Sequence, residues 1–434
     1  MGNPSSTGTT SLAKEMKMIP LECAKKRLEA FIHQIGELKQ SEFPYKHSED
    51  ALLQVESDAG RFLSHLMRLP EDGKRSLLLN ACRQSLDLLY FQLPVLGFIL
   101  RSTNVRNAFE AYSPLLRLAR CLLGPDIRLI ISSEWEYAPL LHPSPGMIPD
   151  FVLIGLPAHE SGNPLLIPLS GHELGHSLWR KAKLKARLRE TMERHISDGI
   201  RGRWAEYKTF FPDIMVDPEN IEKVVRARDT LEQAVSWCQE QAEEVFCDLV
   251  GLLLFGSSYA HAFAYLLSPC FSAPRPPDYP ARRQRVAVIE RAAGKLGIFV
   301  QSDYSGMFQD LLDPPLTKRE MFMLSMADRA SDTLVAELME IAEGILKERQ
   351  APRPDPAESA EIRKRFDLVV PAQCGHNLAS ILCAGWEAFN DKNLWINVPQ
   401  IKDKDGMLRE LILKSMEEYD LELLAGPSHD AQGK

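Results

Sequence analysis

The segment Leu169-Ser170-Gly171-His172-Glu173-Leu174-Gly175-His176-Ser177-Leu178 carries the strongest structural signal in this chain of 434 residues. Residues four apart lie on one face of an α-helix, so a helix here presents the imidazoles of His172 and His176 to a common point. Two imidazoles are typical ligands of zinc. The residues around them are otherwise uncharged apart from Glu173, as expected for a buried helix that carries a metal. The segment therefore predicts a metal-binding helix.

Glu173 follows the first histidine directly and lies on the neighbouring turn of the predicted helix. From there its carboxylate can hydrogen-bond a water molecule at the metal without binding the metal itself. Zinc lowers the pKa of such a water to about 7, and a carboxylate nearby can take its proton during attack on a carbonyl. We therefore predict that Glu173 is a general base.

A catalytic zinc ion needs a third protein ligand and keeps its fourth position open. No third histidine follows at a short spacing, which indicates a carboxylate from another helix. Glu244 and Asp248 lie four residues apart in an apolar segment that extends to Leu253. Buried acids are costly unless they are paired or bind a metal. We predict Glu244 as the third ligand of one Zn²⁺ per chain, with Glu243 as the alternative, and Asp248 as the acceptor of a histidine N–H.

The combination of HExxH at 172–176 and Glu-x-x-x-Asp at 244–248 resembles the gluzincin metallopeptidases. Further along, Tyr279-Pro280-Ala281-Arg282-Arg283-Gln284-Arg285-Val286 is similar to the His-Pro-Pro-x-x-Glu-Arg-Ile element of the CaaX prenyl-protease-like branch. The resemblance covers roughly residues 150–290. It implies a zinc endopeptidase in which His172, His176 and Glu244 bind the metal and Glu173 is the general base.

The same resemblance implies roles for three more residues. Asp248 orients His172, Arg285 lies near the active site, and Tyr279 replaces the histidine of the family. Tyr279 or Arg285 is then the group that stabilises the oxyanion, since a tyrosine hydroxyl can donate to a developing negative charge. The chain lacks the second proline and the glutamate of that element. It also lacks the spanning helices of the membrane members, so the resemblance does not extend to a lipidated substrate.

Two β-type segments, 127–131 and 151–155, precede the metal motif, and each is bounded by turn residues. The second is a candidate edge strand that binds an extended substrate backbone. A strand in the interior of the core is the equal alternative. The motif helix is expected to begin with Ser170 as N-cap and Glu173 three residues later, which is a capping-box spacing.

The rest of the chain has helical periodicity. Apolar residues recur at helix-like intervals over 11–123, with an interruption expected at Pro94, and helices are predicted at 281–297 and 318–348, among others. The fold class is mainly α (α+β), a helical protein with a small β element preceding a zincin-like active-site helix. We predict an N-terminal helical domain, a zincin-like metallopeptidase domain and a C-terminal helical section, at residues 1–124, 125–315 and 316–434.

Composition excludes several classes of partner. The net charge of −8 and the pI near 5.8 argue against nucleic acid, which needs clustered Lys and Arg. No run of about 18 uncharged apolar residues predicts a membrane span. The N-terminus lacks the apolar core of a signal peptide. The eight cysteines are scattered and form no CxxC pair, which favours free thiols and a cytoplasmic location.

The sequence therefore predicts a zinc-dependent metallopeptidase that hydrolyses bonds in a peptide or protein substrate. One alternative is a catalytically inactive zinc-binding scaffold, in which the metal is structural and the helical N- and C-terminal sections recruit protein partners. Another is a non-peptide amide hydrolase, since the same water chemistry serves other acyl groups.

Overall fold

The computed structural model describes most of the chain as two compact units. The described residues are 8–70, 74–102, 108–134, 140–141, 148, 150–160, 162–215, 217–223, 225–269, 274–373 and 376–425. One unit comprises residues 1–106 with 126–159, and the other comprises 107–125 with 160–434. The chain thus passes from the first unit to the second and back before the segment that contains the HExxH motif begins.

The first unit combines three helices with a small sheet. The helices are α1 (Gly8–Leu38), α2 (Lys46–Met67) and α3 (Arg75–Arg101), and the strands are β1 (Arg128–Glu134), β2 (Leu140–Leu141) and β3 (Phe151–Pro157). Fully buried residues of the helices, such as Leu28 and Leu52, belong to the same apolar core as Ile130 and Leu153 of the sheet. The sheet is therefore part of the unit formed by the N-terminal helices.

Strand β3 is the central strand of its sheet. It pairs in parallel with β1, where Val152 lies opposite Leu129, and antiparallel with β2, where Ile154 lies opposite Leu141. All seven of its residues are buried. The prediction that it is an edge strand is therefore wrong, and the alternative of a core strand is confirmed. A strand with neighbours on both sides has no free row of backbone groups for a substrate.

Helix α3 continues through Pro94 without the interruption that the sequence predicts. A proline inside a helix removes the N–H that would bond the carbonyl four residues earlier, here that of Tyr90. Pro94 and Tyr90 both lie on the exposed side of the helix, and 74% of Tyr90 is accessible. Water can therefore satisfy the carbonyl, so the proline is tolerated.

The second unit is helical throughout its described residues, apart from loops and short 3-10 turns, with one long central helix. The central helix is α8 (Val225–Phe255), and the other helices are α4 (Ala108–Leu123), α5 (Ser170–Lys181), α6 (Leu184–Gly202), α7 (Trp204–Phe210), α9 (Ser257–Leu267), α10 (Arg282–Leu296), α11 (Lys318–Glu348), α12 (Pro356–Asp367), α13 (Leu378–Asn390) and α14 (Lys404–Ala425). Helix α8 packs against α5, α6, α10 and α11. The prediction of a mainly α fold with a small β element is confirmed. Among the described helices, none has both the length and the apolar character that a membrane crossing requires.

Helix α5 begins without the predicted capping box. A 3-10 helix at Pro164–Leu169 leads straight into it, so the N–H of Ser170 already bonds the carbonyls of Ile167 and Pro168. The hydroxyl of Ser170 is buried and has no hydrogen-bond partner within the described residues. The predicted N-cap role of Ser170 is wrong because the preceding turn supplies the hydrogen bonds that a cap would provide.

Glycines allow α5 and α8 to cross very closely. A Cβ atom on Gly175 would lie 2.7 Å from Cα of Cys247, and one on Gly171 would lie 2.9 Å from Cα of Gly251. Both distances are shorter than real Cβ contacts, so any larger residue would force the two backbones apart. The crossing brings the histidine face of α5 against the acidic positions of α8.

Candidate metal centre

The two histidines of α5 direct their Nε2 atoms at a single carboxylate of α8. Nε2 of His172 lies 3.4 Å from Oε2 of Glu244, and Nε2 of His176 lies 3.6 Å from Oε1 of the same residue. The rings are 5.0 Å apart between centroids and nearly perpendicular, and His172 and Glu244 are buried. The structure therefore brings together the three residues predicted as metal ligands.

The separations of these atoms fit a zinc ligand set. Nitrogen and oxygen ligands lie about 2.0–2.1 Å from zinc, so two ligands at corners of a tetrahedron lie about 3.4 Å apart. The two Nε2-to-oxygen distances, 3.4 and 3.6 Å, are close to that value. Two imidazoles and one carboxylate also match the His₂Glu donor set of catalytic zinc sites. The residues present fit the ion that the sequence predicts.

Each histidine bonds a second carboxylate through its other ring nitrogen. Nδ1 of His172 lies 3.0 Å from Oδ1 of Asp248, and Nδ1 of His176 lies 2.8 Å from Oε1 of Glu243. A carboxylate acceptor favours a proton on Nδ1, which leaves the lone pair of Nε2 available for a metal. Glu243, predicted as the alternative ligand, thus contacts the histidine on the side away from Glu244.

Asp248 is held at its position by three donors in addition to the contact with His172. It is completely buried and accepts hydrogen bonds from Nε and Nη2 of Arg285, at 2.8 and 2.7 Å, and from the hydroxyl of Tyr259, at 2.6 Å. Nη1 of Arg285 also lies 3.3 Å from Oε2 of Glu244, and the guanidinium stacks on the ring of Phe263. Arg285 therefore connects the two acids of α8.

The site has a surplus of buried negative charge. Glu173, Glu244 and Asp248 are 3%, 7% and 0% exposed, whereas Arg285 is the one buried arginine that contacts them in the described chain. With neutral histidines, three carboxylates face one guanidinium. Uncompensated buried charges are costly, so a divalent cation among these groups would balance the charge.

The charges of the site shift the pKa values of its members. Burial by itself lowers the pKa of His172, but hydrogen bonds and charges from Asp248 and Glu244 outweigh this effect and raise the pKa to about 10. Burial by itself raises the pKa of Glu244, but His172, Arg285 and His176 hold it below its usual value. Both shifts have the same cause, the attraction between the imidazoles and the carboxylates that surround them.

Glu173 has the features expected of the predicted general base. It is buried, and its Oε2 atom has no hydrogen-bond partner within the described part of the chain. Burial raises the pKa of Glu173, although the nearby histidines oppose the shift. An unpartnered buried carboxylate oxygen is unusual, and at an active site it marks a place for a reacting water or substrate group.

Tyr279 lies in the loop before α10, and 42% of it is exposed. The loop is tied to the unit by two hydrogen bonds: Nη1 of Arg275 donates to Oδ2 of Asp328 on α11 at 3.0 Å, and Nε2 of Gln241 on α8 donates to the carbonyl of Pro277 at 2.9 Å. The pKa of Tyr279 is raised above its usual value, and the largest cause is the negative charge of Glu244. The negative charge of Glu244 thus acts on the hydroxyl of Tyr279. The role of Tyr279 as a donor to the oxyanion stays a prediction.

A second set of possible ligands includes a thiol. Ligand atoms of His172, His176 and Cys247 all lie within 4.8 Å of one another. Cys247 is fully buried in the crossing, where a Cβ on Gly175 would lie 3.0 Å from its Sγ. Burial and the four nearby acids raise its pKa well above the usual value. We favour Glu244, because both of its oxygens face the histidines at ligand-like distances.

Two contacts of the site were absent from the sequence prediction. Tyr259 reaches Asp248 because the chain turns at Gly256, which has a positive φ of 58° between α8 and α9. Glu243 bonds His176 because it lies on the flank of α8 rather than on the face of Glu244. The glycine before Tyr259 signals the turn, but no local pattern indicates where the tyrosine side chain lies.

Comparison with known proteins gives no match: no family model, no curated protein and no solved structure is similar to this chain. The resemblance to gluzincins therefore stays a prediction that rests on the residues of the motifs. Arguments about function below rest on the geometry of the second unit.

Proposed function

We propose that this protein is a zinc-dependent metallopeptidase that hydrolyses peptide bonds in a peptide or protein substrate. The observation that supports the proposal most directly is the approach of two histidine Nε2 atoms to the two oxygens of Glu244. An unpartnered buried oxygen of Glu173 occurs on the same helix turn. A metal-ligand set beside an unpartnered carboxylate is the arrangement that hydrolysis by activated water requires.

In this proposal His172, His176 and Glu244 hold the ion. Bound Zn²⁺ supplies Lewis acidity, which lowers the pKa of water to about 7 and polarises the substrate carbonyl. Glu173 accepts a proton from the attacking water on its free oxygen and gives it to the leaving amine. Asp248 and Glu243 fix the histidine rings by their hydrogen bonds to Nδ1.

Arg285 is a positioning residue in this proposal. Its guanidinium contacts Asp248 and Glu244, so its donors are engaged with carboxylates of the site. Tyr279 is then the candidate donor to the oxyanion, because its side chain is partly exposed. The same exposure would let a substrate carbonyl approach the hydroxyl.

We also infer that the protein works in the cytoplasm. The described cysteines, six of the eight in the chain, are free thiols. Free thiols persist in a reducing compartment, whereas secreted domains use cysteine mainly in disulfides.

Glu173→Gln tests the catalytic assignment. The amide cannot take a proton from water, so turnover should fall by about 10²- to 10⁴-fold while one zinc per chain is retained. Mass spectrometry of a peptide mixture measures cleavage, and elemental analysis measures zinc. The matched control is Glu240→Gln, an exposed acid on α8 that pairs with Lys185. Wild-type cleavage by Glu173→Gln would refute the role of Glu173.

A hydroxamate separates the peptidase from the alternatives. Inhibition of peptide cleavage by a hydroxamate requires an open coordination position, as in a catalytic zinc site. Zinc that is retained but neither binds the hydroxamate nor supports cleavage would indicate a structural metal in a scaffold. Cleavage of small acyl amides without cleavage of any peptide would indicate a non-peptide amide hydrolase.

A further inference from the structure

The chain from the end of α5 to the first turns of α6 carries a dense positive charge. It reads Arg180-Lys181-Ala182-Lys183-Leu184-Lys185-Ala186-Arg187-Leu188-Arg189, with six basic residues and no acidic one, although the whole chain has a net charge of −8. Residues 180–189 are called the basic segment below. A cluster of cations in an otherwise acidic protein attracts anions to one part of its surface.

Acidic side chains pair with two of these six cations. Lys185 contacts Glu240, and Arg189 contacts two acids. Lys181 donates to the carbonyl of Leu123, which carries no charge. Four exposed cations form no ion pair with the residues that the structure describes, namely Arg180, Lys181, Lys183 and Arg187. Their charges are therefore available to an anion from outside the chain.

Arg180 joins the basic segment to the candidate metal centre. It follows Ser177 by three residues and Glu173 by seven, so the three side chains lie along one side of α5. Nη2 of Arg180 donates to Oγ of Ser177 at 3.2 Å, which directs the guanidinium back along the helix. Desolvation by the surrounding protein lowers the pKa of Arg180, and the charges of Glu243 and Glu173 oppose this shift. The guanidinium is therefore close enough to the acids of the site to be affected by their charges.

The spacing of Arg180 from Glu173 matches a short stretch of substrate. Seven residues of α-helix extend over about 10 Å, at about 1.5 Å per residue. An extended peptide rises about 3.3 Å per residue, so the same distance corresponds to about three residues. A substrate carboxylate about three residues from the bond on which Glu173 acts would thus lie beside Arg180.

We propose that the basic segment selects acidic peptides as the substrates of the metal centre. This inference rests on the proposed peptidase function and adds the substrate class. Arg180 binds the carboxylate of an Asp or Glu side chain, which a guanidinium can bond through two parallel donors. Lys183 and Arg187 attract further acidic side chains of the same peptide.

Binding is measured without turnover on the Glu173→Gln chain. Fluorescence anisotropy compares labelled peptides with blocked termini, in which a run of glutamates or of glutamines follows an Ala-Leu pair. A second set places the run before that pair, so both directions of the substrate are covered. We expect the acidic peptide of at least one set to bind about tenfold more tightly than its neutral counterpart at about 0.05 M salt, and the difference to disappear near 1 M salt, where charges are screened within about 3 Å.

Substitutions then locate the surface. Arg180→Gln should weaken binding of the acidic peptide by roughly three- to tenfold and leave the neutral peptide unaffected, whereas Arg180→Lys keeps the charge and should retain part of the preference. Lys183→Glu should weaken the acidic peptide by a similar factor. Its matched control is Lys364→Glu, the same change at an exposed lysine of α12, which should leave binding unchanged.

Four results would overturn the proposal. They are equal affinity for acidic and neutral peptides, an acidic preference that Arg180→Gln and Lys183→Glu leave unchanged, a neutral peptide with a free C-terminus that binds as tightly as the acidic one, and equally tight binding of a single-stranded oligonucleotide of the same charge. The last result would indicate a nucleic-acid surface instead.

Failure of this inference can be distinguished from failure of the proposed function. Selective binding of the acidic peptide without cleavage of any peptide would refute the peptidase and leave the binding surface in place. Cleavage of acidic and neutral peptides at equal rates by the wild-type chain, and unchanged cleavage by Arg180→Gln, would refute the role of the basic segment alone.

Discussion

Glu244 has acidic neighbours that contact the same two histidines from other directions. Glu243 points about 100° away from Glu244 around the helix, whereas Asp248 lies one turn further along on nearly the same face. Glu243 bonds Nδ1 of His176 and Asp248 bonds Nδ1 of His172, while Glu244 lies at both Nε2 atoms. One and a half turns of α8 thus supply all three acids around the histidine pair.

Substitutions at these acids should separate the ligand from the supporting groups. Glu243→Gln and Asp248→Asn should weaken zinc binding by about 10- to 100-fold, the usual effect of losing a partner of a ligating histidine. Glu244→Ala should weaken it further, because a ligand itself is lost. Competition with a chromophoric chelator measures the affinities.

Cys247→Ser is the matched control on the same helix. It removes the thiol of the alternative ligand set and leaves Glu244 in place, so zinc affinity should stay close to that of the wild type. Loss of zinc in Cys247→Ser together with retention in Glu244→Ala would instead assign the thiol as the third ligand.

The crossing of α5 and α8 sets the distance between the histidines and these acids. Gly175→Ala would place Cβ 2.7 Å from backbone Cα of Cys247, so the helices must separate. We expect a loss of about 1–3 kcal/mol in the free energy of unfolding, as for other overpacked positions, together with weaker zinc binding. Denaturant unfolding and chelator competition measure the two effects.

Gly344→Ala provides the comparison for this substitution. Gly344 lies in α11 and nothing approaches its missing Cβ within 4 Å. Replacement by alanine should therefore stabilise the helix by roughly 0.4–1 kcal/mol. A Gly175→Ala chain as stable as wild type, with unchanged zinc affinity, would show that the helices do not need this close contact.

Several helices could be predicted from local sequence because their ends are marked. The predicted helix 318–348 is observed as Lys318–Glu348, and its start has a capping box between Thr317 and Glu320. The predictions for Ser170 and Pro94 were wrong because the local sequence does not determine the structure at these two positions. There the outcome depends on the preceding 3-10 turn and on solvent exposure, which the local pattern does not specify.

The candidate metal centre could be predicted from the sequence only where helical spacing determines the positions of its residues. The positions of His172, His176 and Glu244 follow from periodicity and from the cost of buried acids. The bond from Tyr259 to Asp248 and the central place of β3 in its sheet depend on contacts between distant parts of the chain. Such contacts are set by packing, so a single sequence does not reveal them.

All residues of the candidate metal centre lie in the second of the two compact units, so if the proposed zinc is bound, its removal should act on that unit. Zinc at about 1,000 times its dissociation constant stabilises a folded state by about 4 kcal/mol. We expect a chelator to lower the thermal transition of the second unit by several degrees, and added zinc to restore it. Differential scanning calorimetry measures the change.

The Glu244→Ala chain is the reference for this experiment. Its transition should respond weakly to chelator or to zinc, because one ligand is missing. A wild-type transition that is equally insensitive to chelator would show that the unit folds without any contribution from a metal.

Alkylation of the buried thiol of Cys247 can measure how often the crossing of α5 and α8 opens. A maleimide can reach this sulfur only when the two helices part, so its rate of alkylation measures how often they open. An ion held by both helices should slow that reaction, whereas the exposed Cys23 should react at the same rate with or without zinc. Opening of the site could thus be timed by mass spectrometry, even before any substrate is identified.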